Sequence, residues 1–137
     1  MDFRFGHLCD YAGVGNAGKL ILVGLFDSVF TATLDGPVAI PRSFLVFRLE
    51  CGVAEGAQHA VAIRLIDEDG EEMMSLPSAE ARFFISAPGR PLTANVIAEL
   101  DIAVPHIGDY TFEIVVDGRR LGEVPFYVVP RPQPPAA

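Results

Sequence analysis

The chain consists of short apolar runs separated by turn-forming residues. No window of a dozen residues has apolar side chains at the i, i+3, i+4, i+7 spacing that is typical of a helix. Short runs recur instead, and Gly, Pro, Asp and Asn interrupt them. Short strands at near-regular spacing with turns between them are typical of a sandwich or barrel. The sequence therefore predicts an all-β fold, a two-sheet antiparallel β-sandwich of about eight or nine strands.

The predicted strands follow the apolar runs in chain order. A chain of 137 residues is the size of one ordinary domain, which we place at residues 1–129. Residues 130–137 form a proline-rich tail, and we expect it to be extended or disordered. Its Pro-x-x-Pro spacing is either a ligand for a proline-recognition domain or an ordinary terminus. The predicted strands span residues 4–12, 19–30, 43–52, 59–67, 71–76, 81–86, 93–102, 109–116 and 119–129.

The charge of the chain disfavours two classes of partner. Ten Lys and Arg residues are spread among eighteen Asp and Glu, and the net charge is −8. Nucleic acids and anionic membranes are bound by clustered basic side chains, so we expect neither partner. The longest apolar run, residues 20–26, is too short to cross a bilayer as a helix. The first residues lack the pattern of a secretory signal, so we expect a cytoplasmic protein.

The second predicted strand is the most unusual segment. Residues 20–26 are apolar on both faces, as are residues 44–47. The outer face of a two-layer sandwich normally meets water, so a loop, the proline-rich tail or another subunit must cover these strands. We expect a homodimer formed through strand 20–26. The alternative is that the same chain covers the strand.

The last two strands are predicted to form a hairpin around Asp117-Gly118. Asp-Gly between apolar runs favours a type I′ turn, which needs positive φ at both central residues. Counting outward from this turn sets Phe112 opposite Glu123, an unfavourable pair. One extra residue, a β-bulge at Gly122-Glu123, removes the mismatch. The predicted register then pairs Phe112 with Val124 and Tyr110 with Phe126.

Several segments resemble chemical motifs without completing one. Residues 13–19 match most of a phosphate-binding loop, but Leu20 replaces the Ser or Thr and a strand follows where the motif needs a helix. We interpret the segment as a glycine-rich turn. The acidic run at residues 67–72 is either a solvated turn or a calcium loop. The histidines, His7, His59 and His106, lack the spacing of metal ligands.

The two cysteines, Cys9 and Cys51, lie in apolar strand-like segments. We expect buried free thiols, and the sequence leaves open whether they are paired. Asp27 interrupts the apolar second strand, and as an inward carboxylate it would need partners such as Ser28 or Arg48. The sequence thus predicts no catalytic residue, no metal ligand and no cofactor.

Two stretches together resemble a known group of domains. One comprises residues 9–12 and 18–27; the other runs over residues 105–114, through Asp117-Gly118, to residues 121–126. They resemble a family of small bacterial domains of unknown function with an immunoglobulin-like or C2-like sandwich. The resemblance implies the fold and no catalytic residues, and a fold does not imply a function.

Three hypotheses for the function follow. The first is a non-enzymatic protein-interaction or assembly module that self-associates. The second is a calcium-dependent binding module that uses residues 67–72. The third is an enzyme without a recognisable motif, which a pocket that gathers His, Asp and Cys side chains would favour.

Overall fold

The computed structural model describes residues 1–132, which form two five-stranded sheets and one small two-stranded ladder. This confirms the predicted all-β sandwich. The described residues contain twelve strands, and short 3₁₀ turns lie at Asn16–Gly18 and Val53–Glu55. The strands are β1 Asp2–Val14, β2 Leu20–Phe26, β3 Ser28–Thr31, β4 Val38–Ala39, β5 Ser43–Cys51, β6 Gln58–Asp67, β7 Glu72–Arg82, β8 Phe84–Ile85, β9 Leu92–Leu100, β10 Ala103–Val104, β11 Gly108–Val116 and β12 Arg119–Pro130.

The strands are ordered differently in space than along the chain. Sheet I has the order β2-β1-β5-β9-β8, and sheet II has the order β3-β12-β11-β6-β7. Strands β4 and β10 form the small ladder. Neighbouring strands are antiparallel except β3 and β12, which pair in parallel. The sandwich is therefore antiparallel apart from one edge of sheet II.

The core lies between the two sheets because alternate side chains of each strand point inward. Leu45, Phe47 and Leu49 of β5 are fully buried, and Val61, Ile63 and Leu65 of β6 belong to the same cluster. The alternation predicted for residues 61–65 and 96–102 is thus observed. Sheet II also contributes three aromatic rings to the core. The ring of Phe126 stacks against those of Tyr110 and Phe112.

The strand count exceeds the predicted eight or nine for two physical reasons. The predicted strand 19–30 is divided at Asp27, where the chain passes from sheet I to sheet II. Asp27 does not point inward, since its side chain is exposed; it does accept a hydrogen bond at 3.1 Å from Oγ of Ser28, one of the two partners considered for it. The very short strands β4 and β10 are the other two additions. The predicted strands 71–76 and 81–86 are observed with other bounds, since β7 continues to Arg82 and β8 spans only Phe84–Ile85.

The start of the predicted tail continues the last strand. Pro130 pairs with Thr31 at the end of the parallel ladder, and the backbone N–H of Arg131 donates to the Thr31 carbonyl at 2.8 Å. Proline fits here because an edge or terminal ladder position does not need its missing N–H. The expectation for residues 133–137, including the second half of the Pro-x-x-Pro spacing, falls outside the described residues.

The terminal hairpin has the predicted turn. Asp117 and Gly118 both have positive φ, 50° and 80°, as a type I′ turn requires. The predicted aromatic register is also confirmed. Phe112 pairs with Val124, and Tyr110 pairs with Phe126.

The predicted position of the bulge in this hairpin is wrong. Val115 pairs with Arg120 and Ile114 pairs with Gly122, so the extra residue is Leu121 and not Gly122-Glu123. Leu121 is half-buried and packs against the core. Gly122 stays in the ladder, where a Cβ would lie 2.4 Å from Cγ of the Phe3 ring. The glycine makes room for that ring and does not supply a special backbone conformation.

Candidate functional site

The candidate site is the β1–β2 hairpin at the edge of sheet I. Its turn contains the glycine-rich segment 13–19, and the N–H of Gly15 donates to the Lys19 carbonyl at 2.7 Å. The strand that follows begins at Leu20, as the turn interpretation predicts. A turn between two strands lacks the helix N-terminus that binds phosphate in a phosphate-binding loop.

Part of the apolar surface of this hairpin is covered by the same chain. Val46 and Cys9 are fully buried on the side of sheet I that faces away from the main core. Leu20 and Leu22 of β2 pack against this second cluster, together with Ala12. The alternative expectation, that the chain covers the apolar strand itself, therefore holds for Leu20 and Leu22.

The remaining apolar surface of the hairpin is exposed. Its large side chains belong to residue types that are normally buried, yet roughly half of each is accessible to solvent. They lie on the same face because directly opposed residues of an antiparallel pair point the same way, as do residues two apart. We call this set the outer strip; its members and exposed fractions are Tyr11 56%, Ile21 47%, Val23 54% and Leu25 58%.

Asp10 and Gly24 lie opposite each other in the middle of the hairpin. Gly24 has a φ of +72°, which is unusual within a strand, and a Cβ there would lie 2.2 Å from Asp10 Oδ2. Only glycine accommodates both the conformation and the carboxylate. This residue therefore fixes the local twist of β2.

Strand β2 is also an edge strand with an unprotected edge. Natural edge strands usually carry charges, prolines or short lengths that prevent pairing with another chain. The edge strand β7 follows this rule with Pro77, Glu80 and Arg82. Between Leu20 and Phe26, β2 has no charged residue and no proline. Among residues 1–132 no strand pairs with the outer edge of β2, so its backbone groups there and its apolar side chains form a surface that favours strand addition.

A second constellation brings together side chains that are far apart in sequence. The ring of His59 is buried, and its Nδ1 donates to Asp117 Oδ2 at 2.6 Å. Its Nε2 lies 2.9 Å from the Gly56 carbonyl and 3.8 Å from Cys51 Sγ. The backbone N–H of Ala60 donates to Asp117 Oδ1 at 2.9 Å. We call this set the His59 cluster.

The electrostatics of the His59 cluster are those of a structural ion pair. The hydrogen bond to Asp117 raises the pKa of His59, with the Gly56 carbonyl acting in the same direction against the effect of burial. The hydrogen bonds from His59 and from the Ala60 N–H lower the pKa of Asp117. Both ring nitrogens face acceptors, so the imidazolium form satisfies all partners.

The cluster contains the residue types of a catalytic triad, with Cys51 as nucleophile, His59 as base and Asp117 as the acid that orients the base. Its geometry does not allow nucleophilic catalysis by the thiol. Nε2 donates to Gly56 and is not free to take the thiol proton. Burial raises the pKa of Cys51, and its Sγ is the donor to the same carbonyl at 3.6 Å. An activated thiol needs a lowered pKa and access to solvent.

Clefts also lie outside the hairpin, and two of them bear on a catalytic or binding role. A cleft of about 390 Å³ borders the His59 cluster and is lined by His59, Asp117, Arg119 and Arg120, but not by Cys51. A cleft of about 410 Å³ opens between β7 and β9, and its walls are mainly core side chains such as Val61 and Ile63. The second cleft offers apolar contact but no cluster of reactive groups.

The remaining candidate residues take local structural roles. Asp67 Oδ1 accepts the N–H groups of Asp69 and Glu71, each at 2.9 Å, so this carboxylate organises the turn at residues 67–72. Within residues 1–132, no three His, Cys, Asp or Glu side chains are grouped as metal ligands. His7 and His106 are exposed. Cys9 and Cys51 are both buried free thiols, as expected.

Comparison with known proteins places the chain in a family. A sequence profile described as "Family of unknown function (DUF6941)" matches residues 4–129. The chain belongs to this family. The DUF6941 match extends from within β1 to within β12, so it contains both the β1–β2 hairpin and the His59 cluster. The search of curated proteins found no match. Along residues 1–132, no helix has the length and apolar composition needed to cross a bilayer.

Sequence reasoning identified one of these two features and missed the other. The apolar character of residues 20–26 is visible in the sequence, although the division into covered and exposed side chains is not. The His59 cluster joins residues 58 positions apart. The one sequence signal for this cluster was the Asp of the Asp117-Gly118 turn. A carboxylate at the tip of a hairpin can accept hydrogen bonds from a neighbouring strand, but the sequence does not show which strand that is.

Proposed function

We propose that this domain is a non-enzymatic interaction module that self-associates through the β1–β2 hairpin. The observation that carries the proposal is the outer strip on an unprotected edge strand. Contiguous exposed apolar side chains are typical of interaction surfaces, and edge strands without charges pair readily with other chains. The occupant we infer is a second copy of the same chain.

The outer face of sheet II supports the choice of surface by contrast. Its centre is polar, where the buried carboxylate of Glu113 accepts from Arg64 at 3.2 Å and lies 3.3 Å from Arg120. Arg120 also pairs with Glu123. The exposed arginines Arg64 and Arg120 keep this face in contact with water, whereas the outer strip gains free energy when it leaves water.

The non-enzymatic part of the proposal is supported by the His59 cluster. Both ring nitrogens of His59 are hydrogen-bonded to acceptors, and the thiol of Cys51 is buried. The cluster therefore stabilises the turn at Asp117-Gly118. A calcium-dependent module that uses residues 67–72 remains a hypothesis, as does an enzyme of unknown type.

The test is the oligomeric state measured by size-exclusion chromatography with light scattering. We expect a concentration-dependent dimer for the wild-type chain. Val23→Lys should weaken the dimer by about tenfold or more, because the interface would have to desolvate an unpaired ammonium. Leu34→Lys is the matched control, since Leu34 is equally exposed but lies outside the hairpin. A monomer at every concentration would overturn the proposal.

The narrower classification remains a prediction. The hydroxyl of Tyr110 donates to the His106 carbonyl at 2.6 Å, an arrangement found in immunoglobulin-type sandwiches, and this supports an immunoglobulin-like over a C2-like fold. A bacterial source and a cytoplasmic location stay predictions of the sequence.

A further inference from the structure

We propose that the second copy joins edge to edge with β2, antiparallel to it, about a two-fold axis beside Val23. This inference rests on the proposed function and specifies its geometry. The two copies of sheet I would become one continuous sheet of ten strands. Such an interface is isologous, because the same patch is used on both subunits.

The pattern of charges around β2 selects this register. Residues directly opposite each other in an antiparallel pair share a face, so the axis must pass beside a residue and not between two. With the axis at Val23, Lys19 lies opposite the partner's Asp27. The seven residues between them in each copy are uncharged. Each dimer thus has two complementary pairs flanking an apolar centre.

The neighbouring registers lose this match. An axis at Leu22 sets Lys19 opposite the partner's Leu25, and an axis at Gly24 sets Asp27 opposite the partner's Ile21. Either arrangement places a charged side chain against an apolar one without a partner. Lys19 and Asp27 are both exposed, so they are available for pairing between chains.

The side-chain pairs of the Val23 register explain the exposure of the outer strip. Val23 would contact the partner's Val23, and Ile21 would contact the partner's Leu25. Cross-strand apolar pairs stabilise a sheet, and at present β2 has such neighbours only on the side of β1.

Disulfide cross-linking tests the register directly. Val23→Cys should form a disulfide-linked dimer under mild oxidation with oxidised glutathione, because opposed Cα atoms are about 4.5–5.5 Å apart. Ile21→Cys alone should not, since its counterpart would lie about 14 Å along the strand. A mixture of Ile21→Cys and Leu25→Cys chains should link with each other. The native Cys9 and Cys51 are buried and do not compete.

Charge reversal gives an independent readout. Lys19→Asp and Asp27→Lys should each weaken the dimer several-fold, and the double variant should restore it. Added salt should weaken the wild-type dimer relative to the double-neutral variant Lys19→Ala/Asp27→Ala and should strengthen the dimer of either single variant, because salt screens the repulsion between its like charges. Both positions are exposed, so circular dichroism of the variants should match that of the wild type.

The outcomes separate this inference from the proposed function. A wild-type dimer with no Val23→Cys cross-link, or with no rescue in the double variant, overturns the register and leaves self-association standing. A wild-type monomer at all concentrations overturns both. A cross-linked Val23→Cys dimer together with charge rescue supports both.

Discussion

At the scale of single residues, His59 is the clearest case of a side chain whose environment dictates its chemistry. Its ring packs edge-on against Phe83, with centroids 5.0 Å apart, while both nitrogens are hydrogen-bonded. The ring therefore joins the start of β6 to the tip of the β11–β12 hairpin through Asp117. The hydrogen bond at 2.6 Å fixes a turn that is otherwise exposed to solvent.

Replacing His59 should reveal this link as a pH-dependent stability. His59→Ala should lower the free energy of unfolding by roughly 2 kcal/mol, because Asp117 and Gly56 lose a donor and Phe83 loses a packing partner. Urea unfolding measures the change. The matched control, His7→Ala, removes an exposed histidine and should have little effect.

The sign of the pH dependence follows from the two pKa shifts. The raised pKa of His59 means that its ionic contribution is complete below the ordinary histidine value and is lost as pH rises through the folded value. The lowered pKa of Asp117 means that its contribution is lost as pH falls through its own folded value. Asp117→Asn keeps a residue suited to the turn and should flatten the profile between these limits. A wild-type profile that overlays the Asp117→Asn profile would contradict the ion pair.

At the scale of elements, Gly24 determines the shape of the β1–β2 hairpin. Gly24→Ala should destabilise the fold by more than about 1–2 kcal/mol, since the positive φ is strained for alanine and the new Cβ meets Asp10. Gly36→Ala measures the conformational part alone, because Gly36 has a φ of +90° and nothing within 4 Å. Adding Asp10→Ala to Gly24→Ala should recover the steric part. Equal costs at Gly24 and Gly36 would show that the close approach is unimportant.

A second contact between elements joins β1 to β12. The ring of Phe3 occupies the space left by Gly122 and also lies within 2.7 Å of a Cβ built on Gly6. Gly122→Ala should cost roughly 1–3 kcal/mol through overpacking, and Phe3→Leu in the same chain should relieve part of it. Thermal unfolding compares these variants with Gly52→Ala, whose nearest contact would be an ordinary 3.7 Å. An unchanged melting temperature for Gly122→Ala would contradict this role.

At the scale of the whole molecule, the features set by local pattern were the predictable ones. Strand β5 was expected at residues 43–52 and ends at Cys51, and β11 was expected at residues 109–116 and begins at Gly108. Alternation specifies these strands because one face of each is buried. The aromatic pairs of the last hairpin were predictable for the same reason, since a single turn fixes their register.

The features set by distant contacts were not predictable. The parallel pairing of β3 with β12 leaves no trace in either segment, because alternation does not specify which strand lies alongside. The bulge lies at Leu121 because the ladder position opposite Ile114 must be occupied by Gly122. The ring of Phe3, which is distant in sequence, leaves no space for a side chain there. The hydrogen-bond partners of His59 could not be predicted for the same reason. The tip of the β11–β12 hairpin lies beside β6 only in the folded sandwich.

The parallel ladder between β3 and β12 also bears on the order of events during translation. Ser28 pairs with Tyr127, so this edge of sheet II cannot form until β12 has been synthesised. Contacts this remote in sequence form late and slow folding. Until β12 has been synthesised, the nascent chain exposes β2, and the neighbouring β3 has no strand to pair with. We expect this interval to be the stage at which the domain needs a chaperone most.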